Sequence, residues 1–195
     1  MLEQRIQQQF FESADLQYEC AETLARQVAL AAQALLNTLT SGGKLLVFGG
    51  GAARGLAVHM HGLLLGRFER ERPPLAAVLL DSPAGASLAA PQLLALAQPG
   101  DALLLIDDPA SAGGDGGNNT RNGTADCVDA AHQREATTVL ITRARAAGWA
   151  ERLQETDVLV GLPHDRAARV LEAQLLVLHT LADALDTQLL GEQEP

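Results

Sequence analysis

Few residues of this chain suit chemistry that depends on thiols or aromatic rings. Only two cysteines occur among its 195 residues. Cys20 and Cys127 lie too far apart in sequence for a CxxC metal or redox motif, so we expect two reduced thiols packed in helices. Aromatic residues make up 3% of the chain, whereas Ala and Leu dominate, a composition that favours helices packed closely on a sheet. Neither a Walker-type phosphate loop nor a Ser-His-Asp or Cys-His arrangement is evident.

Positive charge and long apolar runs are also scarce. The formal net charge is −10, which argues against a dedicated nucleic-acid surface because phosphate contacts need clustered Lys and Arg. The first residues, MLEQRIQQQFFES, are polar and amphipathic and do not resemble a signal peptide. The longest apolar run, residues 175–185, is too short and too interrupted to span a bilayer. We therefore expect a soluble, cytoplasmic protein.

Short apolar runs alternate with helical segments from residue 43 onwards, which is typical of a parallel sheet covered on both faces. The predicted strands are Leu45–Phe48, Leu75–Leu80, Ala102–Ile106, Thr138–Thr142 and Asp157–Val160. The predicted helices are Ala53–Phe68, Ser87–Ala97, Thr124–Arg134, Ala147–Gln154 and Asp165–Leu189. We expect an α/β fold, a Rossmann-like three-layer αβα sandwich with a five-stranded parallel sheet, whose ligands bind beyond the carboxyl ends of the strands.

The first forty residues have a helical pattern of their own. Apolar positions recur at helical spacing, and a break is predicted between Ser13 and Gln17. Because the sheet begins only after residue 43, we interpret residues 1–42 as a helical arm that packs on a neighbouring subunit of a homo-oligomer. Residues 43–195 form the α/β domain in this interpretation, in one compact unit with the arm.

The segment KLLVFGGGAARG, residues 44–55, is predicted to be a strand, a glycine turn and a helix start. Such turns present backbone N–H groups to phosphates, so Gly50 and Gly51 are candidate anion-binding positions. Arg54, in the first helical turn, is a candidate partner for a phosphate or a sugar acid. The turn contains no Ser, Thr or Lys, however, and a tight connection that binds nothing is the alternative.

Residues 107–124, DDPASAGGDGGNNTRNGT, are rich in Gly, Asn and Asp and are predicted to be a flexible loop, either a functional lid or a slack insertion. The loop begins with Asp107 and Asp108 at a strand end. Paired carboxylates there are compatible with acid–base chemistry, but the adjoining Pro109 and the glycines favour a solvated turn.

Three segments carry a resemblance to a known family: GGGAARGLAVHMHGLLLGRFERERP, TRNGTADCVDAA and RAARVLEAQLLVLHTLADAL. With the helical arm before them, they resemble the sugar isomerase (SIS) domain proteins of the phosphoheptose isomerase group. Within that group the chain resembles most the DiaA-type proteins, which associate with the bacterial replication initiator DnaA. The resemblance covers essentially the whole chain, and its most specific pieces are RFERERP and the R-x-x-R-x-x-E segment at 166–172. It implies a homotetramer.

The resemblance also implies a sugar-phosphate site. The Asn and Ser of the family's first loop correspond to Gly50 and Ala53, so the hydroxyl that binds the phosphate is missing. The second phosphate loop is best matched by residues 119–124. The ligand-binding positions that we predict for this degenerate site are Gly50, Gly51, Ala53, Arg54, His59, Asn119, Thr120, Asn122, Thr124, Glu172 and His179.

The acid–base residues of the family are half retained in this sequence. The catalytic His of the last helix corresponds to His179, whereas the catalytic Glu corresponds to Leu63, which cannot move a proton. Some members place a metal at the positions of His59, Leu63, Leu171 and His179. Because two of these are Leu, we expect no metal and no other cofactor. A packed core histidine is the alternative interpretation of His179, and a subunit ion pair with Arg166 or Arg169 that of Glu172.

With the Glu replaced by Leu63, we expect a non-catalytic protein without catalytic residues. The resemblance to the DiaA-type proteins implies an oligomeric assembly factor that regulates replication initiation through DnaA. The expected partners are other copies of itself, the initiator and a sugar phosphate, but neither nucleic acid nor membrane. Two alternatives stay open. One is a phosphoheptose isomerase acting on sedoheptulose 7-phosphate, and the other is a sensor that binds a sugar phosphate without turnover.

Overall fold

A computed structural model describes residues 1–80, 88–110, 117–144 and 148–191, with the backbone alone for residues 117–122 and 150. Its strands are β1 (Leu45–Gly49), β2 (Ala77–Leu79), β3 (Ala102–Ile106), β4 (Thr137–Arg143) and β5 (Val158–Leu162). Its α-helices are α1 (Leu2–Thr40), α2 (Arg54–Leu65), α3 (Ala89–Leu96), α4 (Gly117–Gln133), α5 (Trp149–Arg152) and α6 (Ala167–Leu190), and a 3₁₀ turn (Gly51–Ala53) precedes α2.

The five strands form one parallel sheet in the order β2-β1-β3-β4-β5. The register pairs Leu46 of β1 with Val78 of β2 on one side and with Leu103 of β3 on the other. Strands β1 and β3 are buried along their whole length, which explains why their sequences are continuous apolar runs rather than alternating ones. The predicted Rossmann-like αβα sandwich is confirmed.

The pleat of the strands divides the core into two layers. Leu45 and Val47 of β1 face a cluster that contains α1, α2 and α6, whereas Leu46 and Phe48 face a second cluster with α3, α4 and α5. Helices α2 and α6 therefore lie on the same face of the sheet and pack against each other.

Helix α1 is continuous from Leu2 to Thr40, so the predicted break between Ser13 and Gln17 is wrong. From Leu16 to Thr38 one side of α1 is buried within this chain, where it packs on α6 and β5. Several apolar side chains before this stretch are exposed, among them Ile6, Phe10 and Phe11. The helical-arm boundary at residue 42 and the contact with a neighbouring subunit stay predictions.

The segment that we predicted as a loop at 107–124 is partly helical, because α4 begins at Gly117 and includes Thr124. The predicted helix starts at Ser87 and Ala147 lie outside the described residues. The two helices concerned are shorter than predicted, Ala89–Leu96 and Trp149–Arg152. Within the described part of the chain, no helix combines the length and the apolar character needed to cross a membrane.

Candidate active site

The glycine turn between β1 and α2 is stabilised by backbone hydrogen bonds. Gly50 N–H donates to the carbonyl of Ile106 at the end of β3 (3.1 Å), and Ala53 N–H donates to the Gly50 carbonyl (2.9 Å). Gly51 has φ +47°, and a Cβ there would overlap the carboxylate of Asp108. Glycine at 51 is thus required by the close approach of Asp108. Whether Gly50, Gly51, Ala53 and Arg54 bind a phosphate stays a prediction.

Asp107 and Asp108 are both buried, with 5% and 7% of their surface exposed, so their interpretation as a solvated turn is wrong. Asp107 Oδ2 accepts a hydrogen bond from Thr142 Oγ1 at the end of β4 (2.7 Å), and the Asp107 carbonyl accepts one from Gln174 Nε2 of α6 (2.8 Å). Asp107 Oδ1 and Gln174 Oε1 are buried without a hydrogen-bond partner among the described residues. Burial raises the pKa of Asp107, and the bond from Thr142 opposes this shift.

His59 of α2 and His179 of α6 form the central pair of the candidate site. Their Nε2 atoms lie 2.8 Å apart, and their rings are edge-on with centroids 5.1 Å apart. Because each neutral imidazole has one donor and one acceptor nitrogen, one Nε2 of this pair donates a proton and the other accepts it. The ring of Phe68 covers His179 at a centroid distance of 5.3 Å.

The environment of the pair keeps His179 able to accept a proton. Burial lowers the pKa of His179, and the neighbouring His59 lowers it further, while Glu69 acts in the opposite direction. His179 is half-buried rather than a packed core side chain, and its partner His59 is exposed to solvent. A neutral imidazole at neutral pH that faces a second imidazole is suited to general acid–base work.

The residues at the family's metal positions do not fit a metal. Leu63 and Leu171 offer no ligand atom and pack against the hydrophobic core. The Nε2 atoms of His59 and His179 face each other at hydrogen-bond distance, and the described residues include no group of three His, Cys, Asp or Glu side chains that could hold an ion. We therefore derive no catalytic step through a metal.

Glu172 contacts protein groups of its own chain. Ser13 Oγ of α1 donates to Glu172 Oε2 (2.8 Å), and Arg169 Nη1 lies 2.7 Å from the same oxygen. Arg166 pairs with Glu12 of α1 (2.9 Å). These contacts connect the start of α6 to the exposed half of α1, and they do not bring Glu172 to the histidine pair. Its role as a ligand-binding residue stays a prediction.

The second predicted phosphate loop falls at the start of α4. Thr124 is fully buried. The side chains of Asn119, Thr120 and Asn122 lie outside the described part of the structure. Reasoning from the sequence missed Asp107, Thr142 and Gln174 as one connected group. Their positions at two strand ends and on the last helix were a signal, but no spacing rule relates residues so distant along the chain.

Comparison with known proteins identifies the family to which this arrangement belongs. A family model of the SIS domain matches residues 9–143, more than half of the chain. The chain is a SIS-domain protein. Its SIS fold superimposes on phosphoheptose isomerase GmhA from Neisseria gonorrhoeae with a TM-score of 0.80 and 29% identity, covering 96% of this chain and 100% of that one. A phosphoheptose isomerase structure from Francisella tularensis gives a TM-score of 0.82 and 30% identity, covering 96% and 99%.

Curated SIS relatives lead to the same group. The phosphoheptose isomerase of Methylibium petroleiphilum is 42% identical over an alignment of 205 positions, which covers 100% of this chain and 98% of that protein. The phosphoheptose isomerase of an Azoarcus strain is 39% identical, covering 97% and 98%. The chain therefore belongs to the phosphoheptose isomerase group of SIS-domain proteins.

These findings correct the function that the sequence favoured. The expectation of a non-catalytic, DiaA-like assembly factor in replication initiation is wrong, because full-length relatives at 36–42% identity are named phosphoheptose isomerases. A replication initiator as partner has no support either. The alternative of an isomerase, which the sequence left open, is the better one.

Proposed function

We propose that this protein is a sugar-phosphate isomerase of the phosphoheptose isomerase type, acting on sedoheptulose 7-phosphate. The observation that carries the proposal is the His59–His179 pair, in which one Nε2 donates and the other accepts at 2.8 Å. Interconversion of a ketose and an aldose phosphate through an enediol moves a proton between C1 and C2 and shifts protons between their oxygens. It needs one group that removes a proton from carbon and a second that serves the oxygens.

The two histidines divide these tasks. His179, neutral because its pKa is lowered, accepts the proton from carbon and returns it to the neighbouring carbon. His59 donates a proton to the carbonyl oxygen on C2 to give the enediol and then takes a proton from the hydroxyl on C1, so that the carbonyl forms at C1 and His59 regains its proton. His59 and Leu63 lie one turn apart on the same face of α2, so His59 acts from the face on which the family places its Glu.

The distance between the pair and the helix start suits a seven-carbon substrate. Arg54 opens α2, and His59 follows five residues later, about 7.5 Å along the helix axis. The C7 phosphate of the substrate lies at the opposite end of the molecule from the reacting carbons C1 and C2. We assign the phosphate to the starts of α2 and α4, where helix N-termini favour an anion. The second phosphate loop that the resemblance implies, residues 119–124, is the expected partner of this phosphate.

An isomerase assay with a binding measurement tests the proposal. Purified protein is incubated with sedoheptulose 7-phosphate, formation of the aldose 7-phosphate is followed, and the same sample is titrated calorimetrically. Turnover that His179→Gln abolishes supports the assignment. Absence of turnover in the wild-type protein contradicts it.

A sensor that binds a sugar phosphate without turnover is the second candidate. The observation that favours it is Leu63, a half-buried aliphatic side chain where the family has its catalytic Glu. Stoichiometric binding of sedoheptulose 7-phosphate with no product would select the sensor over the isomerase.

We further propose that the protein is a cytoplasmic homo-oligomer, a tetramer as the family resemblance implies. An apolar groove between α1 and α6, lined by Leu24, Val28, Leu176 and Val177, is the surface that a second copy would cover. Exposed Phe10 and Phe11 add apolar surface near the start of α1. Sedimentation equilibrium tests this part, and a monomer at micromolar concentration would contradict it.

A further inference from the structure

Arg72, in the RFERERP segment, forms an ion pair that the acid–base chemistry leaves unexplained. Its Nε lies 2.5 Å from Asp186 Oδ1 of α6, and both side chains are only 1% exposed. Removing two charges from water is costly, and a buried ion pair is often no more stabilising than apolar residues of the same volume. The pair therefore calls for a reason other than stability.

The remaining nitrogens of Arg72 contact the end of α2. Nη2 donates to the Leu63 carbonyl and Nη1 to the Leu64 carbonyl, each at 2.8 Å. Carbonyls in the last turn of a helix have no partner within the helix, so the guanidinium caps α2. One planar group thus joins the C-terminal end of α2 to a carboxylate on α6, a geometry that an ammonium group cannot reproduce.

The contacts of Arg72 lie on the two helices that carry the histidine pair. His59 precedes Leu63 by four residues, one turn earlier on the same face of α2. His179 precedes Asp186 by seven residues, two turns earlier on the same face of α6. The Arg72–Asp186 clamp and the His59–His179 contact are therefore two points along one helix–helix interface.

We propose that Arg72 and Asp186 are positioning residues, which hold α2 against α6 at the separation that the His59–His179 hydrogen bond requires. Asp186 Oδ2 has no hydrogen-bond partner among the described residues, so the carboxylate depends on Arg72. The catalytic part of this inference rests on the proposed isomerase function, whereas the geometric part does not. A displacement of about 1 Å at a reacting group can cost about 10²-fold in rate.

The experiment compares three variants of the full chain. Asp186→Asn keeps the volume of the side chain and removes the charge partner of Arg72. Arg72→Lys keeps the charge and removes the simultaneous cap. Asp101→Asn is the matched control, because Asp101 is also a buried carboxylate in an ion pair, with Lys44 (2.5 Å), and its hydrogen bonds are made with Lys44 and Gln98 rather than with α2 or α6.

Imidazole ¹⁵N NMR gives the readout that is independent of activity. We expect Asp186→Asn and Arg72→Lys to lose the ¹⁵N shifts of the hydrogen-bonded His59–His179 pair, and Asp101→Asn to retain them at a similarly lowered melting temperature. Asp186 lies about 10 Å along α6 from His179, and Arg72→Lys keeps both charges of the pair, so a loss of the shifts in Arg72→Lys as well reports geometry rather than charge. Unchanged shifts in folded Asp186→Asn would overturn the proposal. If that variant does not fold, Asp186→Glu, which moves the carboxylate by one methylene, decides by the same readout.

Kinetics separate this inference from the proposed function. We expect kcat for sedoheptulose 7-phosphate to fall about 10²-fold in Asp186→Asn and Arg72→Lys with KM little changed, and to stay near the wild-type value in Asp101→Asn. Absence of turnover in the wild-type protein would contradict the proposed isomerase function. The NMR comparison would still test whether Arg72 and Asp186 position the histidine pair.

Discussion

His59 and His179 are 120 residues apart in sequence, yet their Nε2 atoms share a hydrogen bond of 2.8 Å. The contact exists because α2 and α6 lie on the same face of the parallel sheet and pack together. It brings two titratable groups to the place where the family resemblance puts one His and one Glu.

Replacing either histidine of the pair is expected to abolish most of the isomerase activity. His179→Gln and His59→Gln each remove one proton-transfer group, which typically costs about 10²–10⁴-fold in kcat. His61→Gln is the control, because His61 lies on α2 only two residues from His59 and points to another side of the helix. Equal losses in all three variants would contradict the division of roles.

The pKa of His179 is expected to rise when His59 is replaced. Burial lowers this pKa first and His59 lowers it further, so His59→Gln removes only the second cause. Between the lowered pKa of His179 in the folded chain and its ordinary value near 6.5, the unfolded chain binds the proton more readily than the folded chain does. The free energy of unfolding therefore rises with pH over this range. Because the variant brings the two pKa values closer together, this pH range should become narrower. NMR titration of the His179 ring gives the pKa directly, and an unchanged value would show that His59 does not act on it.

Leu63→Glu is expected to raise turnover of sedoheptulose 7-phosphate, by as much as about 10²-fold in kcat. Leu63 is half-buried and one turn from His59, so a carboxylate there faces the histidine pair and remains partly hydrated. Leu63→Gln, which cannot take a proton, is the matched control. A gain in the control as large as in Leu63→Glu would attribute the effect to polarity rather than to acid–base chemistry.

Asp107→Asn is expected to stabilise the protein at alkaline pH. Burial raises the pKa of Asp107, so the folded chain keeps the proton to a higher pH than the unfolded chain does. The free energy of unfolding of the wild type therefore falls as pH rises above about 4, and the neutral amide escapes this loss. We expect a melting temperature about 2–4 °C above wild type at pH 8, the shift of about 1 kcal/mol in a chain of this size. A gain that is the same at pH 4 would contradict the assignment.

The sheet could be predicted closely because its strands are buried on both faces. Runs such as LLVF and ALLLI admit few other interpretations between turn residues, and β3 matches its predicted bounds. Helix α1 was harder to predict. The polar residues from Ser13 to Gln17 indicated a break, whereas Ser13 in the folded chain donates to Glu172 and the helix continues through it.

The site was predictable only in part. Asp107 has the local sequence of a solvated turn, and its burial depends on Thr142 and Gln174, which arrive from two other elements. His59 and His179 were candidates from the resemblance, but their mutual hydrogen bond is a property of the tertiary packing. Likewise, no local pattern relates Arg72 to Asp186.

Three of the polar contacts that α6 makes with other elements recur at intervals of seven residues. Glu172 meets α1 through Ser13, His179 meets α2, and Asp186 meets Arg72. Because the three lie along one face, a slide of α6 by a single turn would break all of them together. The three contacts are therefore kept or lost together. We expect the backbone amides of α6 to exchange with solvent as one cooperative unit, which opens and closes over its whole length.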